Sequence, residues 1–126
     1  MTMVARAGAA LLAGLLVASA SAHHGVSTYR MDVVATLAGV VVNWEFGSPH
    51  TWLTLSVDSA AWEIEGAPPR WMSGQGFTPG SLAAGDVVTV VYHPHRSTPQ
   101  AGILMEVRRA DGSVLKVNRP AALGGP

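Results

Sequence analysis

Five histidines carry most of the chemistry open to this chain. They fall in three groups: His23-His24, His50, and His93-Pro94-His95. Neutral imidazole is a favoured ligand for zinc and copper. The chain has no cysteine, which removes thiolate metal sites, thiol nucleophiles and covalent haem attachment. His93 and His95 are two residues apart, so on a strand both rings would share one face, with backbones about 6–7 Å apart. That is close enough to share one ion. Pro94 cannot donate to a ladder and marks a strand edge or end. The plainer reading is a turn whose histidines meet solvent. His50 follows Pro49, where a hydrogen-bonded structural histidine is the ordinary alternative to a ligand.

The first pair sits behind a leader-like segment. Arg6 precedes an uninterrupted apolar and glycine run of 11 residues, Ala7 to Val17. Two small-x-small patterns follow, Ala18-Ser19-Ala20 and Ala20-Ser21-Ala22. This is the order of an export signal at residues 1–22. Eleven residues fall short of the roughly 20 that span a bilayer. A cut after Ala22 would free the amine of His23, which titrates at about 8 and could join its imidazole on a metal. A cut after Ala20 would give Ser21-Ala22-His23. An amine with histidine in third place suits the square-planar preference of Cu(II) or Ni(II). A flexible polar start is the bland alternative.

The elements that must position these residues are mostly strands. Residues 23–32 lack periodicity and read as an arm. Val33 to Phe46 is rich in β-branched residues and predicts a long strand, bent or bulged at Gly39. After Gly47-Ser48-Pro49, His50 to Asp58 alternates. Thr51, Leu53, Leu55 and Val57 face a core, and Trp52, Thr54, Ser56 and Asp58 face away. Ala61 to Glu65 is a third short strand, with Trp62 and Ile64 on one face and Glu63 on the other. Pro68 to Ser73 predicts a short helix. Val87 to His95, Gly102 to Arg109 and Ser113 to Asn118 complete the strands, the last two joined by Asp111-Gly112. Three strands, a helix, then more strands is the order of an OB-like antiparallel β-barrel at residues 33–118. An open β-sandwich or another small barrel is the competing architecture. Residues 119–126 read as a flexible tail.

Removing 22 of 126 residues leaves 104, enough for one modest core. It also leaves 7 Lys+Arg against 8 Asp+Glu. That balance gives no basic footprint for nucleic acid. No later apolar run is long enough to cross a membrane. Four tryptophans read first as core. Trp52, on the polar side of its strand, is the candidate stacking surface. Met31, Met72 and Met105 are explained by packing. Glu45, Asp58, Glu63 and Glu65 read as solvated strand faces.

The chain resembles DUF6152, a family of small exported bacterial proteins. The residues that carry the likeness are the leader ending in Ala-His-His, the segment Val41 to His50 (VVNWEFGSPH), and Ser81 to Val90 (SLAAGDVVTV). A further match is the late strand Gly102 to Asp111 before its Asp-Gly turn. Members often carry Asn before Pro-His, where Ser48 stands here. They often carry Ser and an aromatic after His-His, where Gly25 and Val26 stand. The resemblance implies an exported barrel in the periplasm or outside the cell, and no reaction.

The reading expected from these residues is a copper-binding or copper-handling module, zinc being the other ion. His23 and His24 would be primary ligands, His50 an additional one, and His93 and His95 a second pair. The alternative is a metal-free OB-type module that holds a glycan, a peptide or a partner protein in the periplasm. An oxidative copper enzyme built on an N-terminal histidine ranks third, since no substrate groove is evident.

Overall fold

The computed structural model describes residues 25–119. Six strands and one short helix follow a 3-10 turn at Val26–Thr28: β1 (Ala35–Glu45), β2 (Trp52–Val57), β3 (Ala60–Glu65), α1 (Pro69–Ser73), β4 (Val87–Pro94), β5 (Ala101–Arg109) and β6 (Val114–Lys116). The sheet order is β3-β2-β1-β4-β5-β6, and β3 also pairs with β5. That extra pairing is parallel, with Glu65 opposite Ile103. It closes a five-stranded barrel, otherwise antiparallel, with β6 appended to β5 as a hairpin. This is the expected OB-like architecture.

Alternation decides which residues face inward. Leu53 and Leu55 on β2 and Ile64 on β3 are fully buried. They meet Val41, Val90, Leu104 and Val107 from the other strands in one core. Each fully buried side chain of this kind contributes about 1.5–3 kcal/mol. The helix closes one end of the barrel with Met72, and Phe77 just beyond it joins the same core. Proline in its first turn needs no amide partner there.

Two differences from the sequence reading have physical causes. The bulge in β1 falls between Val41 and Asn43, not at Gly39. Gly39 instead permits close approach: a Cβ there would lie 2.8 Å from Val57 Cγ2 and 3.0 Å from the Ser56 carbonyl oxygen. His50 does not open β2 but lies in the β1–β2 loop, because the Thr51 amide turns away to bond Ala67 O at 3.1 Å.

A second buried cluster lies on the outside of the barrel. Tyr29 (5% exposed), His93, Ile103 and Glu65 (5%) are buried there, and none belongs to the inner core. The arm covers this patch. Tyr29 forms an isolated antiparallel bridge with His95 at the end of β4. Among the described residues no helix is long and apolar enough to cross a membrane.

Candidate functional site

Glu65 is the centre of the outer cluster. It ends β3 on the outward side of the strand, opposite Trp52 of β2 and Ile103 of β5. A carboxylate in that position would ordinarily meet water. Here one oxygen accepts the Tyr29 hydroxyl and the other accepts Nδ1–H of His50. Burial and the bond to Glu65 push the Tyr29 phenol above its ordinary value of 10.0, so it stays a donor.

The β1–β2 loop delivers His50. Its exit is fixed by Thr51, which is fully buried and hydrogen-bonds Ala67 O through both its amide (3.1 Å) and its Oγ1 (3.0 Å). Gly66 makes this possible, since a Cβ there would overlap the Thr51 hydroxyl. With Nδ1–H committed to Glu65, the neutral His50 ring carries its lone pair on Nε2. The His50 side chain is 36% exposed while that of Glu65 is 7% exposed. One face of the pair is therefore sealed, and the other is open to a ligand.

Arg119 approaches the cluster from the far end of the chain. Its guanidinium donates to Leu104 O, and its second terminal nitrogen has no partner among the described residues. Burial lowers its pKa to about 10, against the pull of the Glu65 and Tyr29 charges.

The other described histidines hold the arm. The His93 Nδ1 lies 2.7 Å from Val33 O, and a carbonyl only accepts, so Nδ1 donates. His95 Nδ1 accepts from the amides of Ser97 (3.1 Å) and Thr98 (2.8 Å). The neutral ring then carries its proton on Nε2 and has no lone pair to offer an ion. Its ring also meets Tyr29 edge to face, centroids 5.4 Å apart. His93 and His95 thus spend Nδ1 on the protein itself. His23 and His24 lie outside the described residues. Among the described residues no group of three or more His, Asp or Glu side chains is placed to hold a metal ion.

Trp52 is half-buried on the outer side of β2. The other tryptophans have assigned places. The Trp44 and Trp71 indoles donate to Thr78 O and Asn118 O, and Trp62 packs against Tyr92. Around Trp52, the outward positions of β1, β2 and β3 carry Asn43, Glu45, Thr54, Ser56, Ala61 and Glu63, with exposed Val40 and Val42 beside them on β1. Thr54 Oγ1 donates to Glu63 at 3.2 Å. No lysine or arginine stands among these positions.

Alternation marked Glu65 as one more solvated carboxylate, and the structure corrects this: it is the best-buried acidic group of the described chain. Only the arm's aromatic, Tyr29, hinted otherwise, and nothing in its spacing connects it to a residue 36 positions away.

The chain belongs to DUF6152, a family of unknown function that matches residues 11–106. Membership places the protein among exported chains, periplasmic or secreted. No curated protein matches it.

Proposed function

We propose, from membership of this exported family and the geometry of the outer face, that the protein is a metal-independent binding module for a glycan. The ligand would lie across β1–β2–β3 beside the β1–β2 loop. Strands 2–3 and the flanking loops are the usual binding surface of an OB barrel. The observation that carries the reading is Trp52. It is half-exposed, lacks a hydrogen-bond partner among the described residues, and is ringed by amide, hydroxyl and carboxylate groups. A flat apolar face with polar groups at its rim suits a sugar ring, which has an apolar face and a hydroxylated edge. Glu45 and Glu63 without a basic neighbour repel phosphate, which disfavours nucleic acid on this face. His50 extends the surface with an acceptor at Nε2.

The test is titration of neutral oligosaccharides followed by tryptophan fluorescence and calorimetry. The expected result is a dissociation constant below about 1 mM, or about 4 kcal/mol. Trp52→Ala should weaken binding at least tenfold, about 1.4 kcal/mol, with the fold unchanged. No binding across the panel, or equal binding by Trp52→Ala, would sink the reading.

A second reading rests on His50. An imidazole whose Nδ1–H is held by a carboxylate is the usual arrangement around a metal-ligating histidine. Copper, or zinc, would bind Nε2 together with His23 or His24 of the arm. Titration of correctly processed protein with Cu(II) should then give micromolar affinity, about 8 kcal/mol, lost in both His50→Ala and His23→Ala. Binding indifferent to either change would exclude this site.

A further inference from the structure

The outer cluster joins two parts of the chain that share no hydrogen bond with each other among the described residues. Tyr29 belongs to the arm and His50 to the β1–β2 loop, and they share only the Glu65 carboxylate. Glu65 is 5% exposed, so water is poorly placed to replace a missing donor. Each donor occupies one oxygen, and together they fix the plane of the carboxylate. Removing either donor leaves a buried acceptor unsatisfied and frees the carboxylate to rotate away from the other.

The rest of the arm is seated at one strand end. Four successive residues hold its backbone. His93 donates to Val33 O, Pro94 O accepts from Arg30 N at 2.8 Å, and His95 bridges Tyr29. Arg96 bonds Thr28 O through its amide at 3.0 Å and Ser27 O through Nε at 2.8 Å. All these contacts lie along the end of β4 and the turn after it. Tyr29 alone carries the arm across β5 to β3. Its backbone is at His95, its hydroxyl at Glu65, and Ile103 of β5 pairs with both His93 and Glu65 beneath it.

We infer that Tyr29, Glu65 and His50 act as one unit that makes the N-terminal arm part of the ligand site. Tyr29 is a positioning residue: by fixing Glu65 it holds His50 in the tautomer that offers Nε2 as an acceptor. The site therefore selects a ligand that presents a hydrogen-bond donor at that point, such as a sugar hydroxyl. In return, His50 keeps the carboxylate aligned for Tyr29 and so holds the arm down. The coupling is reciprocal, as linkage requires. The selection of a donor rests on the glycan reading; the coupling of arm to loop does not, and its test needs no ligand.

The test uses the processed full-length protein and its Tyr29→Phe, His50→Ala and Glu65→Gln variants. Limited trypsin digestion, followed by intact mass, reports the arm through the cut after exposed Arg30, with the cut after exposed Arg70 as internal reference. His50→Ala should speed the Arg30 cut at least fivefold relative to the reference, although His50 has no hydrogen bond to a described arm residue. Tyr29→Phe should do the same, and the double variant should add little to either. Ring-nitrogen NMR gives a second readout that needs only a folded sample. His50 should be Nδ1-protonated in the parent and shift toward the Nε2–H form in Tyr29→Phe. Wild-type arm cleavage in His50→Ala, or an unchanged His50 tautomer in Tyr29→Phe, would overturn the inference. So would a Glu65→Gln protein that loosens the arm while neither single donor variant does. Should His50→Ala fail to fold, His50→Leu, which also lacks a donor, carries the proteolysis measurement.

Discussion

The inside and the outside of this barrel are both buried, and they are built by opposite rules. The inner core joins Leu53, Leu55, Ile64, Leu104 and their neighbours, side chains that ask only for volume and contact. The outer cluster joins Tyr29, His50, Glu65 and Arg119, each of which needs a particular partner at a particular atom. The core draws on every strand and tolerates some exchange among aliphatics of similar volume. The cluster draws on four separate parts of the chain, and one lost atom leaves a buried polar group stranded. The first arrangement specifies a fold. The second specifies a state of one histidine.

The contrast breaks most visibly at Leu55. Leu55→Ala should cost about 2–5 kcal/mol of global stability, read as a fall in the denaturation midpoint with one cooperative transition. Glu65→Ala should cost less, about 1–3 kcal/mol for the stranded donors. Its damage should be local. Hydrogen exchange should rise in residues 26–33 and the β1–β2 loop, while β2 and β4 amides stay protected. If Glu65→Ala unfolds the whole barrel as Leu55→Ala does, the two regions are not separable. His93→Ala should be milder still, about 0.5–1.5 kcal/mol for one hydrogen bond to Val33 O, again seen first as exchange in the arm.

This contrast also explains what could be read from the chain. The β2 pattern, with Leu53 and Leu55 inward and Trp52 and Thr54 outward, follows from a period of two, and a period is local information. So does the helix at Pro69–Ser73, announced by its prolines. The barrel closure could be inferred because strand order has few solutions. Glu65 could not be recognised, because its partners lie 15 and 36 residues away and no spacing relates them. The His93-Pro94-His95 pattern was legible as a strand end. Its task was not, since whether Nδ1 meets an ion, Val33 O or the Ser97 amide depends on where the arm returns. Trp52 was legible as outward-facing, and the structure adds the groups that ring it.

The smallest effect is spectroscopic and separates the two regions without a mutation. Both tyrosines of the chain are raised above 10.0, Tyr29 by burial and its bond to Glu65 and Tyr92 by burial. Tyr29 belongs to the outer cluster and Tyr92 to the inner core. Above pH 10 the unfolded chain releases phenolic protons that the folded chain retains. The unfolded state then binds fewer protons, so stability falls as pH rises. Their contribution is fully present below pH 10 and is lost above it. Arg119 has the opposite sign. Its folded pKa of about 10 lies below the ordinary 12.5, so between those values the folded state gives up a proton that the unfolded state keeps, and this gains stability with pH. The phenols and the guanidinium therefore act in opposite directions above pH 10. Tyrosinate absorbance at pH 10 should be lower in the folded protein than in the unfolded chain. In Glu65→Gln, where Tyr29 loses a charged neighbour that disfavours its ionisation, one of the two tyrosines should titrate at lower pH while the other stays put. Two tyrosines moving together would mean that the outer cluster is not an independent unit.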